Sequence, residues 1–209
     1  MKNNHIPVML KEVVSYIPSN KKINVIDATF GGGGYSKEIL ENLNVEKLIA
    51  IDRDPITKIF GEELHNNFAN FSLVNGCFSQ IDKLILEKNN FKEIKFDTII
   101  FDLGVSSNQI DNPQRGFSFM NNGPLDMGMG TNIKKVSDVV NNYSEIDLAN
   151  IIYKYGDERF SRRIAKNIVK ARKTKLIETT KELTNLIKDS FNQKQISKSK
   201  INPATKTFQ

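Results

Sequence analysis

A run of glycines between two acid-terminated apolar segments is the part of this chain whose spacing could do chemistry. Residues 24–36 read NVIDATFGGGGYS, so that an apolar run ends at Asp27 and four consecutive glycines follow at positions 31–34. A second apolar run ends at Asp52, 18 positions after Gly34. Glycine permits positive φ and lets backbone approach a ligand closely, while an acid closing the second strand can accept hydrogen bonds from both ribose hydroxyls. The spacing predicts the nucleoside-binding half of a doubly wound sheet.

Two classes of nucleoside cofactor fit this predicted turn. A dinucleotide needs a helix N-terminus aimed at its pyrophosphate, usually with G-x-G-x-x-G spacing, but Ser36 stands where the third glycine belongs. S-adenosylmethionine has no phosphate, and Asp27 would face its ammonium group while repelling a pyrophosphate. The segment therefore favours S-adenosylmethionine over a dinucleotide. A glycine-rich surface turn that binds no ligand is the remaining alternative.

Composition narrows the class of protein. The chain has 209 residues, of which 39% are hydrophobic and 26% charged, as in ordinary soluble proteins. No apolar run approaches the ~20 residues of a membrane span, and the N-terminus lacks the apolar stretch of a secretory signal. The single cysteine, Cys77, excludes a disulfide framework and a cysteine-based zinc site, and the two histidines lie far apart. We expect a cytoplasmic protein with no metal and no membrane association.

Charge is distributed unevenly along the chain. Residues 159–206 hold 14 Lys/Arg against 3 Asp/Glu, a local charge of +11, whereas residues 1–158 hold 16 against 21, a local charge of −5. This asymmetry indicates a polyanionic partner, most plausibly nucleic acid. The alternative is that these basic residues only face solvent.

Strand and helix patterns alternate over residues 1–110 and indicate an α/β fold. The predicted strands are 23–27, 48–52, 71–74 and 96–101, and the predicted helices are 8–17, 35–43, 56–68 and 78–86. Asp27, Asp52 and Asp102 close the first, second and fourth strands. In a parallel sheet these strand ends share one edge, where ligands bind.

A long segment of low periodicity, residues 104–130, follows the fourth strand. Segments of this length are usually functional or disordered. Arg115, Phe117 and Phe119 combine a cation with interleaved aromatic rings, a composition that suits stacking on unpaired bases. The alternative is that the two phenylalanines anchor the segment to the core.

The chain beyond residue 136 is predicted to be helical. Residues 111–201, which include the loop before these helices, are predicted to form a domain inserted into the first domain, residues 1–110. Ser144 is expected to cap a helix that Gly156 closes, Asp157 to cap the next, and Thr179 a third. Residues 193–200 are predicted to form a loose connection. Residues 202–209 resemble the opening of another helix that would return the chain to the sheet, and they are expected to be mobile because nothing is left for them to dock with.

Taken together, these segments resemble the RsmH (MraW) family of bacterial methyltransferases, which methylate N4 of a cytidine in the 16S RNA of the small ribosomal subunit. The similarity covers the whole chain, and DLGVSSNQ with RGFSF is highly specific. The matching stretches are HIPVMLKE at 5–12, DATFGGGG at 27–34, AIDRDP at 50–55, DLGVSSNQ at 102–109, RGFSF at 115–119, GPLDM at 123–127, YGDERF at 155–160 and NPATKTFQ at 202–209.

The resemblance implies a doubly wound, Rossmann-like class I methyltransferase sheet that lacks its C-terminal strands here. It also implies a set of residues that bind S-adenosylmethionine: Gly33, Gly34, Tyr35, Asp52, Phe78, Asp102 and Gln109. Two departures affect the expected sites. Tyr35 stands where the family usually has His, and Gly128 and Gly130 stand where it usually has Arg and Asp. The implied partner is small-subunit ribosomal RNA, and the oligomeric state stays open, with a dimer as one option.

The chemistry can be argued beside the resemblance. An exocyclic cytosine amine is a poor nucleophile because its lone pair is delocalised, so a nearby acceptor would favour its attack on a methyl group. Asp102 and Asn108 lie where strand meets loop and are the candidate catalytic residues. Methylation at C5 of cytosine uses a cysteine nucleophile. Because Cys77 is the only cysteine and no second one assists it, we set C5 methylation aside. A binding-only or inactive homologue and an NAD-dependent oxidoreductase are the competing interpretations.

Overall fold

The computed structural model describes residues 6–87, 91–130 and 134–209, apart from the side chain of Lys198. His5, the first residue of the matching stretch 5–12, lies outside the described residues. The chain forms two compact units. Among the described residues, the first comprises 6–87, 91–108 and 129–130, and the second comprises 109–128 and 134–209.

The first unit is built around a parallel sheet of four strands in the order β3-β2-β1-β4. Asp27 pairs in register with Ala50 and Ile100, and Asp52 pairs with Asn75, so the strands end at one edge. This confirms the predicted α/β class and the parallel sheet. The strands are β1 (Ile23–Asp27), β2 (Val45–Asp52), β3 (Phe71–Asn75) and β4 (Thr98–Ile100).

Both faces of this sheet are covered. Val25, Leu48 and Ala50 belong to one buried cluster, whereas the alternate residues Ile26 and Ile49 belong to another. Strands buried on both faces are typical of parallel sheets flanked by helices. The helices of this unit are α1 (Leu10–Ser15), α2 (Gly34–Asn42), α3 (Thr57–Asn67) and α4 (Ile81–Glu87), with a 3₁₀ turn at Phe78–Gln80 and α5 (Ser107–Asp111) at its boundary.

The second unit is helical and has its own core. Leu148, Ile164, Ile168 and Ile187 are at most 2% exposed and pack in one cluster. The predicted caps at Ser144 and Thr179 are confirmed, since their hydroxyl oxygens accept the amides of Asp147 and Glu182. The helices are α6 (Val136–Asn142), α7 (Glu145–Gly156), α8 (Ser161–Arg172), α9 (Thr180–Lys188), α10 (Gln193–Lys198) and α11 (Thr205–Phe208).

Two predictions about local structure in this unit are wrong. Residues 193–198 form helix α10, which Asn192 caps by accepting the amide of Gln195 at 2.8 Å. Asp157 does not cap α8; it adopts the left-handed conformation (φ 48°) at the end of α7, and Phe160 occupies the N-cap position of α8. The lysine- and serine-rich composition of residues 193–200 is typical of a loop, so helix α10 is not predicted from it. The prediction for Asp157 places the start of α8 three residues too early.

The expectation that residues 202–209 have nothing to dock with is wrong. Ala204 is fully buried and Phe208 is 9% exposed, both within the core of the helical unit. The Phe208 ring meets Phe119 edge-on, with centroids 5.2 Å apart. The segment is therefore packed in the second unit, because its two apolar side chains fit the helical core.

Candidate cofactor-binding edge of the sheet

The glycine turn between β1 and α2 has the backbone conformation that its sequence requires. Gly31 (φ 53°) and Gly33 (φ 81°) both lie in the left-handed region, which disfavours residues with a Cβ atom. Gly33 is the N-cap of α2, and its amide donates to the Phe30 carbonyl oxygen at 2.8 Å. Gly34 is the first residue of the helix. The turn thus places backbone amides, without side chains, at the carboxyl edge of the sheet.

Asp52, the last residue of β2, is tied directly to this turn. Its Oδ2 atom accepts the Gly31 amide at 2.7 Å, and its Oδ1 atom accepts the Asp54 amide at 2.8 Å. Burial raises the pKa of this carboxyl, although these amides act in the opposite direction. The residue is half-buried, and its orientation is fixed by two backbone donors. A carboxylate held this way keeps lone pairs for ligand hydroxyl groups.

Asp27 forms the interior of the same edge. It is 1% exposed, and its Oδ2 atom accepts the Ser36 hydroxyl at 2.6 Å while Oδ1 accepts the Thr29 amide at 3.2 Å. Burial raises the pKa of Asp27 to about 6, and repulsion from Asp52 and Asp102 adds to the increase despite these two hydrogen bonds. The charges of Asp52 and Asp102 therefore act on the Asp27 carboxyl, as expected if the strand ends converge at one edge.

Asp102 lies two residues beyond β4 and is held by backbone. Its amide donates to the Thr29 hydroxyl oxygen at 2.7 Å, and its side chain is exposed. Asn108 is half-buried in α5. An exposed carboxylate at a fixed backbone position can accept a proton from a substrate, so the proposed catalytic role of these residues stays a prediction compatible with the geometry.

The side chain of Tyr35 is buried in the core and is not placed to contact a ligand. Its ring is 7% exposed in the core, and its hydroxyl donates to the Val8 carbonyl oxygen at 2.6 Å. Burial raises its pKa, and the charges of Asp102 and Asp27 add to the effect. The side chain anchors the N-terminal segment, so any contact with the cofactor would come from its backbone.

Phe78 has a partner that sequence reasoning missed. It is 38% exposed after β3, and its ring meets Phe101 at 5.6 Å in an edge-on arrangement, with Phe101 itself half exposed after β4. From the sequence alone, Phe101 is expected only as the last residue of the predicted strand 96–101. Phe101 belongs to a series of apolar residues at alternate positions, whose side chains are exposed in the structure: Ile99, Phe101, Leu103 and Val105.

The remaining predicted residues belong to the second unit. Gln109 is 7% exposed in α5. The Arg115 guanidinium lies over the Phe117 ring at 5.7 Å and donates to the Gly128 carbonyl oxygen at 2.6 Å. Phe119 packs against Phe208 in the helical core. This packing favours the anchoring alternative for Phe119, whereas the proposed RNA contacts of Arg115 and Phe117 stay predictions.

Segment 104–130 is held in place by close backbone contacts. A Cβ atom on Gly123 would lie 1.8 Å from the Pro113 carbonyl oxygen, and one on Gly116 (φ 71°) would lie 2.2 Å from the Pro124 carbonyl oxygen. Lys135 forms an ion pair with Asp126 at 2.7 Å; although burial acts to raise it, the Lys135 hydrogen bond and the Gly128 amide hold the pKa of Asp126 below its usual value. Residues 109–128 of this segment, which belong to the second unit, are thus packed although they contain little regular structure beyond the end of α5 and a 3₁₀ turn at Pro113–Arg115.

Two other kinds of feature, a membrane span and a metal site, are absent from the described residues. No helix among them is long and apolar enough to cross a membrane. Within residues 6–87, 91–130 and 134–209, no group of three or more His, Cys, Asp or Glu side chains could hold a metal ion.

Comparison with known proteins identifies the relatives of this chain. It is 49% identical to the ribosomal RNA small subunit methyltransferase H of Ehrlichia canis (strain Jake), over 98% of this chain and 68% of that protein. The proteins of the same name from Rickettsia bellii (strain RML369-C) and Rickettsia massiliae (strain Mtu5) are 43% and 45% identical over 100% of this chain and 66% and 65% of their own lengths. The chain spans about two thirds of the length of these curated relatives. Since residues 2–209 match the family's sequence pattern, the chain belongs to the MraW methylase family.

Proposed function

We propose that this chain binds S-adenosylmethionine at the carboxyl edge of its sheet and takes part in methylating N4 of a cytidine in small-subunit 16S ribosomal RNA. The observation that carries the proposal is the arrangement of Asp52 with the Gly31 amide beside two further carboxylates. The names of the relatives, all ribosomal RNA small subunit methyltransferase H, support the reaction and the substrate.

The charge of the edge supports a cationic cofactor. Burial is the main cause of the raised pKa of Asp27, and repulsion from Asp52 and Asp102 adds to it. A pyrophosphate would add negative charge to this group, whereas an ammonium or sulfonium group would offset its repulsion. The residues present therefore fit S-adenosylmethionine better than a dinucleotide. When bound, it would supply a methyl group activated by the sulfonium charge.

The roles of individual residues follow from their placement. Asp52 would accept the ribose hydroxyls while it holds the glycine turn, and the Phe78 and Phe101 rings would border the adenine. Asp102, with its exposed carboxylate, would accept a hydrogen bond from the exocyclic amine and take the proton that this amine loses. Asn108 would orient the same amine through its amide oxygen. Because the amine needs only an acceptor and correct alignment, positioning would contribute much of the acceleration.

Calorimetric titration of the chain with S-adenosylmethionine tests the cofactor assignment. Asp52→Ala should weaken binding by about 1–3 kcal/mol, the scale of hydrogen bonds to a charged group. Asp97→Asn is the matched control, since Asp97 lies before β4, at the opposite end of the strand, and pairs with Lys21. Binding of NADH instead of S-adenosylmethionine, or unchanged affinity in the Asp52 variant, would refute the proposed site.

A transfer assay separates an enzyme from a binding-only protein. Small-subunit particles that lack the modification would be incubated with the chain and S-adenosylmethionine, and N4-methylcytidine would be detected by mass spectrometry of digested RNA. Asp102→Asn should lower turnover even at saturating S-adenosylmethionine, which separates its catalytic role from any contribution of its charge to cofactor affinity. Cofactor binding without methyl transfer by the unaltered chain would support the binding-only interpretation.

A further inference from the structure

A cleft in the helical unit lies outside every site discussed above. It has a volume of about 200 Å³ and lies where residues 158–160 approach residues 191–206. Two rings line it, Phe160 and Phe191, with centroids 5.1 Å apart and planes 77° apart. Phe160 is still 37% exposed. The cleft therefore offers an aromatic surface to a flat ligand.

Several contacts hold these rings in place. The Arg163 guanidinium lies 4.7 Å from the centroid of Phe160 and 5.7 Å from that of Phe191, and it donates to the Gln195 side-chain oxygen at 3.0 Å. Glu158, which is 6% exposed, accepts the Phe160 amide at 2.8 Å through Oε1. The position of Phe160 is thus set by its backbone and by the cation over its ring, as a preorganised stacking surface requires.

Basic side chains line the same cleft. Arg159 is exposed, and none of the ion pairs among residues 6–87, 91–130 and 134–209 includes it. Lys206 also lines the cleft, where its Nζ atom donates to the Asp157 carbonyl oxygen at 2.9 Å and lies 3.5 Å from the carboxylate of the exposed Asp157. Aromatic rings beside cationic side chains are the combination that single-stranded nucleic acids bind, through base stacking and phosphate contacts.

We propose that this cleft binds one unpaired nucleotide of single-stranded RNA, with its base stacked on Phe160 and its phosphate beside Arg159 and Lys206. An acidic peptide would satisfy the two cations but would leave the aromatic surface unused. The local charge of +11 over residues 159–206 draws a polyanion toward this unit. The inference rests on the proposed function in one respect only: it takes RNA as the ligand.

Fluorescence anisotropy with the full chain tests the proposal. The probe is a labelled RNA of about ten unpaired nucleotides, within the range of site sizes of single-strand binders. Phe160→Ala should weaken its binding roughly 5- to 150-fold, the range that removal of one base–aromatic stack produces. Phe160→Leu keeps bulk against Phe191 and should lose most of the same affinity, so it decides the question if the alanine variant does not fold.

Matched controls distinguish the cleft from general attraction. Tyr153→Ala removes an aromatic residue that is 59% exposed on α7, outside the cleft, and should leave RNA affinity unchanged. Arg159→Gln should make the slope of log affinity against log salt concentration shallower by about 0.7, the contribution of one phosphate on a single strand. Equal RNA affinity for the unaltered chain and Phe160→Leu would overturn the proposal, as would binding of an acidic peptide in preference to RNA.

The proposed function can fail or stand independently of this result. Calorimetry with S-adenosylmethionine on the Phe160 variants should give the affinity of the unaltered chain, because no residue assigned to the cofactor site lines the cleft. Normal cofactor binding together with unchanged RNA binding would overturn the cleft assignment and leave the cofactor site intact. Loss of cofactor binding in the unaltered chain would refute the proposed function without bearing on the cleft.

Discussion

Neutralising Asp27 should stabilise the protein free of cofactor at neutral pH. The carboxyl is 1% exposed, and its pKa is raised to about 6 from an ordinary value of 3.8, chiefly by burial. The folded state therefore holds this proton at pH values where the unfolded chain has released it. It follows that the free energy of unfolding falls as pH rises from about 4 through about 6, since the folded state binds more protons in that window.

The size of the effect follows from the shift. About two pKa units correspond to about 3 kcal/mol at pH values above 6. Asparagine can keep the oxygen that accepts the Thr29 amide and can donate its own N–H to the Ser36 hydroxyl oxygen. Asp27→Asn should thus raise the free energy of unfolding by up to about 3 kcal/mol at pH 8, or the melting temperature by roughly 6–12 °C for a chain of this size.

Thermal unfolding followed by circular dichroism at about pH 5 and pH 8 measures this difference. The stabilisation should be smaller at the lower pH, where Asp27 in the unaltered protein is mostly protonated. Asp97→Asn is a control of opposite sign, because the Lys21 hydrogen bond and the Asn24 amide lower the pKa of exposed Asp97. Destabilisation by Asp27→Asn of equal size at both pH values would refute the reasoning, since it would mean that the hydrogen bonds of the carboxylate outweigh its burial.

Three further changes probe other parts of the molecule. Phe101→Ala should weaken S-adenosylmethionine binding by about 1 kcal/mol in calorimetry, because it removes one ring of the Phe78 pair; equal affinity would exclude the ring from the adenine site. Gly123→Ala should lower the free energy of unfolding in urea by about 1–3 kcal/mol, since its Cβ atom would overlap the Pro113 carbonyl oxygen; unchanged stability would show that the backbone moves freely there. Binding to small-subunit particles should weaken with salt by about 0.7 in log–log slope for each single-strand phosphate contacted by residues 159–206, and a flat dependence would show that these residues only face solvent.

Sequence reasoning located the sheet edge because its signals are local. Each of Asp27 and Asp52 directly ends a run of strand-forming residues, and the glycines between them specify a turn that other residues disfavour. Strand pairing then brings the acids together without further information, since the carboxyl ends of parallel strands meet.

Local sequence patterns do not predict contacts between residues that are distant in the sequence. The docking of residues 202–209 depends on Phe208 meeting Phe119, and the ring pair at the sheet edge depends on Phe78 meeting Phe101. Each of these residues by itself is an aromatic side chain next to a loop. Tertiary packing alone decides which ring contacts which. The sequence therefore predicts that these rings are buried or stacked, but it does not predict the residue that each ring contacts.

The proposed reaction needs ligands of opposite charge, and the chain keeps the corresponding residues apart in sequence and in unit. A cationic cofactor is favoured by the carboxylates of the first unit, where repulsion from Asp52 and Asp102 adds to the effect of burial on the pKa of Asp27. A polyanionic RNA is favoured by residues 159–206 of the second unit. A single mixed surface would lose part of its attraction for both, which gives a physical reason for the charge asymmetry of the chain.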